Sequence, residues 1–118
     1  MKDGRKQSGA AGESLAVRHL QEAGLAILER NYRFERGEID IVAQEGDELV
    51  FVEVKARRTR SFGPPEEAVT ERKRDQIRKV AEGYLYEHAM EDRPCRFDVV
   101  AIIFENGKAH IDHLKNAF

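Results

Sequence analysis

The chain has 118 residues, the length of one compact domain, so a second independent core is not expected. Hydrophobic residues make up 41% and charged residues 36%, which excludes disorder throughout the chain and predicts an apolar core inside a densely ionic surface. Twenty Lys and Arg against 22 Asp and Glu give a net charge of −2, which excludes a protein that coats nucleic acid through overall basic charge; a nucleic-acid site would have to be a local patch.

The first helix is predicted over residues 9–23. Ala16, Leu20 and Ala23 recur at helical spacing, and the following Gly24 is the residue type that commonly ends a helix. The polar residues 1–7 are expected to be flexible.

Three strands are predicted next. Residues 25–34 have the pattern of an irregular strand, whereas residues 38–43 and 49–56 are rich in β-branched residues and predict a hairpin of two buried strands. Gly46-Asp47 between them predicts a two-residue turn of type II′, in which glycine supplies the positive φ.

A loop and a second helix follow the hairpin. Residues 57–67 contain three arginines and a Pro-Pro pair, and they are predicted to form a mobile surface loop. Thr70 is a good N-cap for a second helix. Its apolar face is predicted from helical spacing to contain Ile77, Val80, Ala81, Tyr84, Leu85 and His88.

The last two strands complete an α/β fold with the element order αβββαββ. Residues 97–104 predict a buried strand, Asn106-Gly107 a hairpin turn and residues 109–114 an edge strand. The third strand, second helix and fourth strand form one crossover unit, so the third and fourth strands are predicted to be parallel in a mixed five-stranded sheet. Functional residues are expected at the carboxyl end of the third strand, near the start of the second helix.

Four charged residues interrupt the two apolar strands of the hairpin: Glu38, Asp40, Glu53 and Lys55. Buried strands seldom hold unpaired ions. With the predicted turn, Asp40 faces Glu53 and Glu38 faces Lys55, and strand alternation directs all four side chains to one face.

Neighbouring carboxylates repel unless a cation lies between them. Mg²⁺ is commonly held by one or two carboxylates together with substrate phosphate. This pattern suits hydrolysis of a phosphodiester, with Lys55 placed to orient the attacking water or to stabilise charge on the phosphate. The alternative is a structural ion network, in which Lys55 only neutralises Glu38, Glu53 or both.

Three motifs carry a family resemblance: Gly-x-x-Gly-Glu at residues 9–13, Gly-Glu-Ile-Asp-Ile-Val-Ala at residues 37–43 and Phe-Val-Glu-Val-Lys-Ala-Arg at residues 51–57. They resemble the PD-(D/E)xK nuclease superfamily and, more closely, the YraN-like family of uncharacterised bacterial proteins, which is similar in fold to archaeal Holliday-junction resolvases. The resemblance extends from Gly9 to the fifth strand. One position departs from the superfamily pattern, because Ile39 stands where the literal Pro precedes the Asp.

The resemblance implies a restriction-endonuclease-like core and an endonuclease that uses Mg²⁺ or Mn²⁺ to cut DNA, including branched DNA. Asp40, Glu53 and Glu13 would be metal ligands, and these three with Lys55 would be the catalytic residues. Glu13 matches the first-helix Glu that assists metal binding in the resolvase-like relatives. The alternative for Glu13 is a carboxylate that complements the helix dipole. The alternative for the whole protein is a non-catalytic module that keeps the fold and binds nucleic acid or another protein.

Residues 57–79 form a local basic segment with a net charge of +4. Its candidate contacts to the DNA backbone are Arg57, Arg58, Arg60, Lys73 and Gln76. Solvated helix surface is the alternative for such a run of charges. A cutter of DNA junctions needs two active sites, so a homodimer is expected with that substrate.

Other polar groups predict no further site. His110, Asp112 and His113 are assigned to a surface edge strand, where His113 points away from the other two. Cys95, the only cysteine, fits a reducing cytoplasm. No run of about 18 apolar residues occurs, so the protein is expected to be cytoplasmic with no membrane partner.

Overall fold

The computed structural model describes residues 4–57 and 69–118. In chain order these residues form α1 (Gly4–Glu22), β1 (Ala26–Phe34), β2 (Gly37–Glu45), β3 (Glu48–Arg57), α2 (Glu71–Glu87), β4 (Cys95–Glu105) and β5 (Lys108–Leu114). The predicted loop over residues 57–67 lies outside the described residues except for Arg57, which ends β3. The predicted order αβββαββ is confirmed.

The five strands form one mixed sheet in the order β1-β2-β3-β4-β5. The β3–β4 pair is parallel and the other pairs are antiparallel, as predicted from the crossover through α2. The two helices cover opposite faces, because Ala16 and Leu20 of α1 pack in one buried cluster and Ile77, Val80 and Tyr84 of α2 pack in the other. This is the α/β, restriction-endonuclease-like core that was expected.

Helix α1 begins earlier than predicted. It starts at Gly4 rather than at residue 9, in keeping with the good helix formers Lys and Gln in this segment. Gly24 ends the helix with φ 98°, and the Leu25 amide donates to the Leu20 carbonyl. Ala23, expected on the buried face, is exposed because it lies beyond the last turn.

Helix α2 confirms its predicted start. The Thr70 hydroxyl accepts a hydrogen bond from the Lys73 amide at 3.2 Å, which satisfies one of the open donors of the first turn. The buried face runs from Ile77 to Tyr84, whereas His88 caps the far end and is exposed.

Gly83 of α2 lies against the Phe34 ring of β1. A Cβ at residue 83 would overlap the Phe34 ring. Gly83→Ala should therefore destabilise the protein by about 1–3 kcal/mol, although alanine is otherwise the better helix former. Urea unfolding measures this cost, and in a Phe34→Leu background the same substitution should cost clearly less; an equal cost would contradict the steric explanation.

The predicted β2–β3 turn is confirmed. Glu45 pairs with Glu48, and Gly46 has φ 61°. The paired positions end at Ile41 and Val52, however, so the expected Asp40–Glu53 and Glu38–Lys55 pairs are not part of the ladder.

Strand alternation is interrupted at Asp40. Ile39 packs in the cluster beneath α2, but Ile41, two residues later, packs in the cluster beneath α1. At the same level of β1, Asn31 has the left-handed φ of 55°. The prediction that simple alternation places all four charged side chains on one face is therefore wrong at this point, because both strands change face here.

A second ionic feature lies on β4 and was not predicted. Asp98 is fully buried. Its carboxylate accepts hydrogen bonds from Arg96 Nε at 3.0 Å and from the Asn116 amide at 2.9 Å. His113 Nε2 lies 2.7 Å from Asp98 Oδ2. Arg96 Nη1 also reaches two carboxylates that flank the β2–β3 turn, Glu45 and Glu48. This group, the Asp98 network, ties the hairpin to the C-terminal segment.

The Asp98 network refines the assignment of His113. His113 lies on the edge strand β5, as predicted, but its side chain is only 8% exposed and points inward to Asp98. His110 and Asp112 are exposed as predicted. Burial on its own would raise the pKa of Asp98, but the hydrogen bonds from His113, Arg96 and the Asn116 amide outweigh it and hold that pKa below its usual value.

Candidate metal and nucleic-acid site

Asp40 lies where the β2–β3 ladder opens. Its Oδ2 accepts a hydrogen bond from the Val54 amide at 2.8 Å, so the carboxylate takes a backbone donor of β3 beyond the last paired residues. Burial, and then the charge of Glu53, raise the pKa of Asp40 to about 7 against the opposing effect of the Val54 hydrogen bond. Asp40 is therefore held beside a second carboxylate even though the two residues are not a register pair.

Glu53 is buried in this site, with 6% of the residue exposed. Two lysines approach the same oxygen: Lys55 Nζ lies 3.6 Å from Glu53 Oε2, and Lys73 Nζ lies 3.9 Å from it. Lys55 comes from β3 itself and Lys73 from the first turn of α2. The carboxyl end of β3 and the start of α2 therefore meet at Glu53, as predicted.

Glu13 approaches the site from α1. It is 8% exposed, and its charge also contributes to the raised pKa of Asp40. Its Oε1 accepts from Arg30 Nε and from Asn31 Nδ2, both at 3.0 Å. Glu13 is thus buried near Asp40 and engaged by two residues of β1. Its role as a metal ligand stays a prediction.

The other residues predicted for the site lie in different parts of the structure. Gln76 is exposed on α2, and its Cγ lies against Gly37 at the start of β2. Arg57 is half-buried at the end of β3. Arg58 and Arg60 lie outside the described residues. Glu38 is half-buried, and its charge adds to the raised pKa of Asp40.

Sequence reasoning missed the part played by β1. Arg30 and Asn31 both contact Glu13, although neighbouring side chains of a regular strand point to opposite faces. A signal for Asn31 was available, since Asn is one of the few residue types enriched at positive φ. Nothing in the pattern of β1 singles out Arg30.

The carboxylates of Asp40 and Glu53 are the pair of oxygen ligands that we consider for a metal ion. Across residues 4–57 and 69–118, no group of three His, Cys, Asp or Glu side chains is arranged to hold a metal ion. The two carboxylates of Asp40 and Glu53 repel each other, which is the electrostatic condition that a divalent cation relieves. Two carboxylates are also the protein share that Mg²⁺ commonly uses, with water and phosphate supplying the rest. The donor set therefore fits a hard divalent cation completed by substrate.

No helix in the described part of the chain combines the length and apolar character needed to cross a membrane.

The chain matches a family model and many relatives along most of its length. The model of the uncharacterised protein family UPF0102 matches residues 12–102. A UPF0102 protein of Pelobacter propionicus is 49% identical, covering 96% of this chain and 83% of its own length. The UPF0102 protein of Rhodococcus opacus is 50% identical, covering 93% of this chain and 94% of its own length. That of Moorella thermoacetica is 45% identical, covering 97% of this chain and 97% of its own length. On this similarity the chain belongs to the UPF0102 family, the YraN-like family whose motifs it carries.

Proposed function

We propose that this protein is a metal-dependent endonuclease that hydrolyses DNA phosphodiester bonds, with Asp40 and Glu53 holding Mg²⁺ or Mn²⁺. One observation carries the proposal: an opened strand pair places Asp40 near the buried Glu53, and Lys55 and Lys73 both lie within 4 Å of a Glu53 oxygen. In a purely structural ion network the lysines would compensate both carboxylates, whereas here both lysines contact Glu53, and burial and the charge of Glu53 raise the pKa of Asp40.

The bound cation would supply Lewis-acid stabilisation of the phosphate and a more acidic water. The Val54 amide orients Asp40 for metal binding, because it donates a hydrogen bond to one carboxylate oxygen. Glu53 is fixed by burial on β3 and by its two lysines. The protein therefore provides an oriented pair of carboxylates where the β2–β3 pairing ends, the kind of support that such sites require.

Lys55 is the residue that we assign to the reacting phosphate. Its ammonium group lies 3.6 Å from Glu53 and is 26% exposed, so it belongs to the site and still reaches solvent. There it would orient the attacking water by hydrogen bonding and stabilise negative charge that develops on the phosphate oxygens. Lys73, which approaches the same Glu53 oxygen from α2, would contact a phosphate oxygen of the DNA backbone.

The substrate that we propose is DNA, including branched DNA. Arg57, Arg58, Arg60, Lys73 and Gln76 would contact its backbone beside the site, which makes binding salt-dependent. Action on junctions would require a homodimer, in which two sites make paired incisions. The single Cys95 is compatible with action in the reducing cytoplasm.

Asp40→Asn should make the metal-free protein more stable at alkaline pH. A carboxyl group whose folded-state pKa is raised to about 7 favours folding while it is protonated, and this contribution is lost as pH rises from about 4 to 7. The variant should therefore exceed the wild type by about 1–3 kcal/mol near pH 8 in EDTA and lose that advantage near pH 4. Urea unfolding across this range, with the exposed Asp92→Asn as control, measures the difference.

Excess Mn²⁺ should remove or reverse this advantage of the variant. It should stabilise the wild type by about 2–3 kcal/mol at a hundredfold excess over its dissociation constant, and the variant much less. A variant that is less stable than the wild type in EDTA near pH 8, or that gains equally from Mn²⁺, would contradict the assignment of Asp40.

Cleavage is tested on labelled four-way junction, flap, single-stranded and duplex DNA in Mn²⁺. Product formed by the wild type and not by Glu53→Gln, purified in parallel, supports the endonuclease. Salt-sensitive DNA binding without product on any substrate would instead favour the non-catalytic module.

A further inference from the structure

We propose that Asn31 is a positioning residue that, together with Arg30, fixes the Glu13 carboxylate beside Asp40 and thereby strengthens cation binding. This inference rests on the proposed function, because it concerns the same acidic site. It assigns roles to two β1 residues that neither the sequence motifs nor the charge pattern indicated.

The first support is the geometry around Glu13. Asn31 Nδ2 donates to Glu13 Oε1 at 3.0 Å, and Arg30 approaches the same oxygen through Nε at 3.0 Å and Nη2 at 2.9 Å. Arg30 Nη2 also reaches the Ser14 hydroxyl at 3.4 Å. These contacts join β1 to a carboxylate on α1, so the rotamer of Glu13 is set by β1 rather than by its own helix.

The second support is the backbone of Asn31. Two consecutive strand residues contact one side chain only because Asn31 adopts φ 55°, which turns the strand between Arg30 and Tyr32. Arg30 pairs with Ile41 and Tyr32 with Ile39, so the distortion lies level with Asp40 on the neighbouring strand. A left-handed residue in a strand is energetically unfavourable, and such strain concentrates at functional sites.

The third support is the electrostatic link from Glu13 to the site. Glu13 is buried, and its charge acts on Asp40. A carboxylate that rotated away would leave the pair of Asp40 and Glu53 with less negative charge to attract a cation. Hydrogen bonds that orient such groups typically change metal affinity by about 10- to 100-fold when they are removed.

Asn31→Gly separates positioning from folding. Glycine adopts positive φ without strain, so the variant should keep the backbone of β1 and lose in EDTA no more than about 1–3 kcal/mol, the cost of the missing hydrogen bond to Glu13. Asn106→Gly is the matched control, because Asn106 has φ 51° in the turn between β4 and β5. Isothermal titration with Mn²⁺ should give about tenfold weaker binding for Asn31→Gly and unchanged binding for Asn106→Gly.

A double-variant cycle tests whether Asn31 acts through Glu13. Once Glu13→Gln is present, adding Asn31→Gly should weaken Mn²⁺ binding no further. Wild-type affinity in Asn31→Gly, or a full additional loss in the double variant, would overturn the positioning role and leave the proposed endonuclease intact. Absence of Mn²⁺ binding by the wild type would overturn both.

Discussion

Lys55→Ala should reduce metal-dependent DNA cleavage by about 10²–10³-fold while Mn²⁺ binding is retained. The reason is the position of the ammonium group, which adjoins the acidic pair through Glu53 but cannot itself bind a cation. Removing it takes away a charge that would stabilise the phosphate during reaction, whereas the carboxylates of Asp40 and Glu53 stay in place. Single-turnover cleavage of the best substrate in the panel, measured beside Mn²⁺ titration, separates the two properties.

Lys108→Ala is the matched control for this prediction. Lys108 is exposed on β5, and its replacement removes the same charge from the chain without touching the site. Its cleavage rate should equal that of the wild type. Retention of more than about a tenth of wild-type activity by Lys55→Ala would exclude Lys55 as a group that acts on the reacting phosphate.

Asp98→Asn should destabilise the fold by about 3–5 kcal/mol, the usual cost of removing one partner from a buried ion pair. Asp98 is fully buried, and the side chain of Arg96 is only 12% exposed. Arg96 would keep Glu45 and Glu48 at Nη1, but its Nε would lose the charged partner that it has in the interior. The Asn116 amide and His113 would also face a neutral group. Urea unfolding near pH 7, with Asp92→Asn as the surface control, measures the loss.

The pH dependence of this loss provides a second check. Because the folded-state pKa of Asp98 is lowered, its contribution is present above the ordinary aspartate pKa and disappears as pH falls through the folded value. The stability difference between wild type and Asp98→Asn should therefore shrink below about pH 4. A variant within about 1 kcal/mol of the wild type near pH 7 would show that the Asp98 network does not secure the fold.

Local signals in the sequence were sufficient for most of the architecture. Thr70 marked the start of α2, and Gly46-Asp47 determined the turn and the register of the β2–β3 hairpin, because both depend on residues adjacent in the chain. The convergence of Lys73 on Glu53 was also accessible, since the crossover rule brings the start of α2 to the end of β3.

The features that escaped prediction depend on contacts distant in the chain. The change of face at Asp40 comes from two strands distorted together, and alternation in one strand cannot reveal it. Asp98 interrupts an apolar strand in the same way as Asp40, but its partners, His113 and the Asn116 amide, come from a later part of the chain. The buried-charge criterion applied to β2 and β3 would have flagged Asp98 had it been applied to β4.

The central claim is that Asp40 and Glu53 together bind the divalent cation used for DNA hydrolysis. Isothermal titration of Mn²⁺ near pH 8 into wild type and Glu53→Gln tests it most directly, because Gln keeps the size of Glu53 and removes its charge. We expect saturable binding by the wild type and at least about tenfold weaker binding by Glu53→Gln. No binding by the wild type, or equal affinity in the two proteins, would contradict the account.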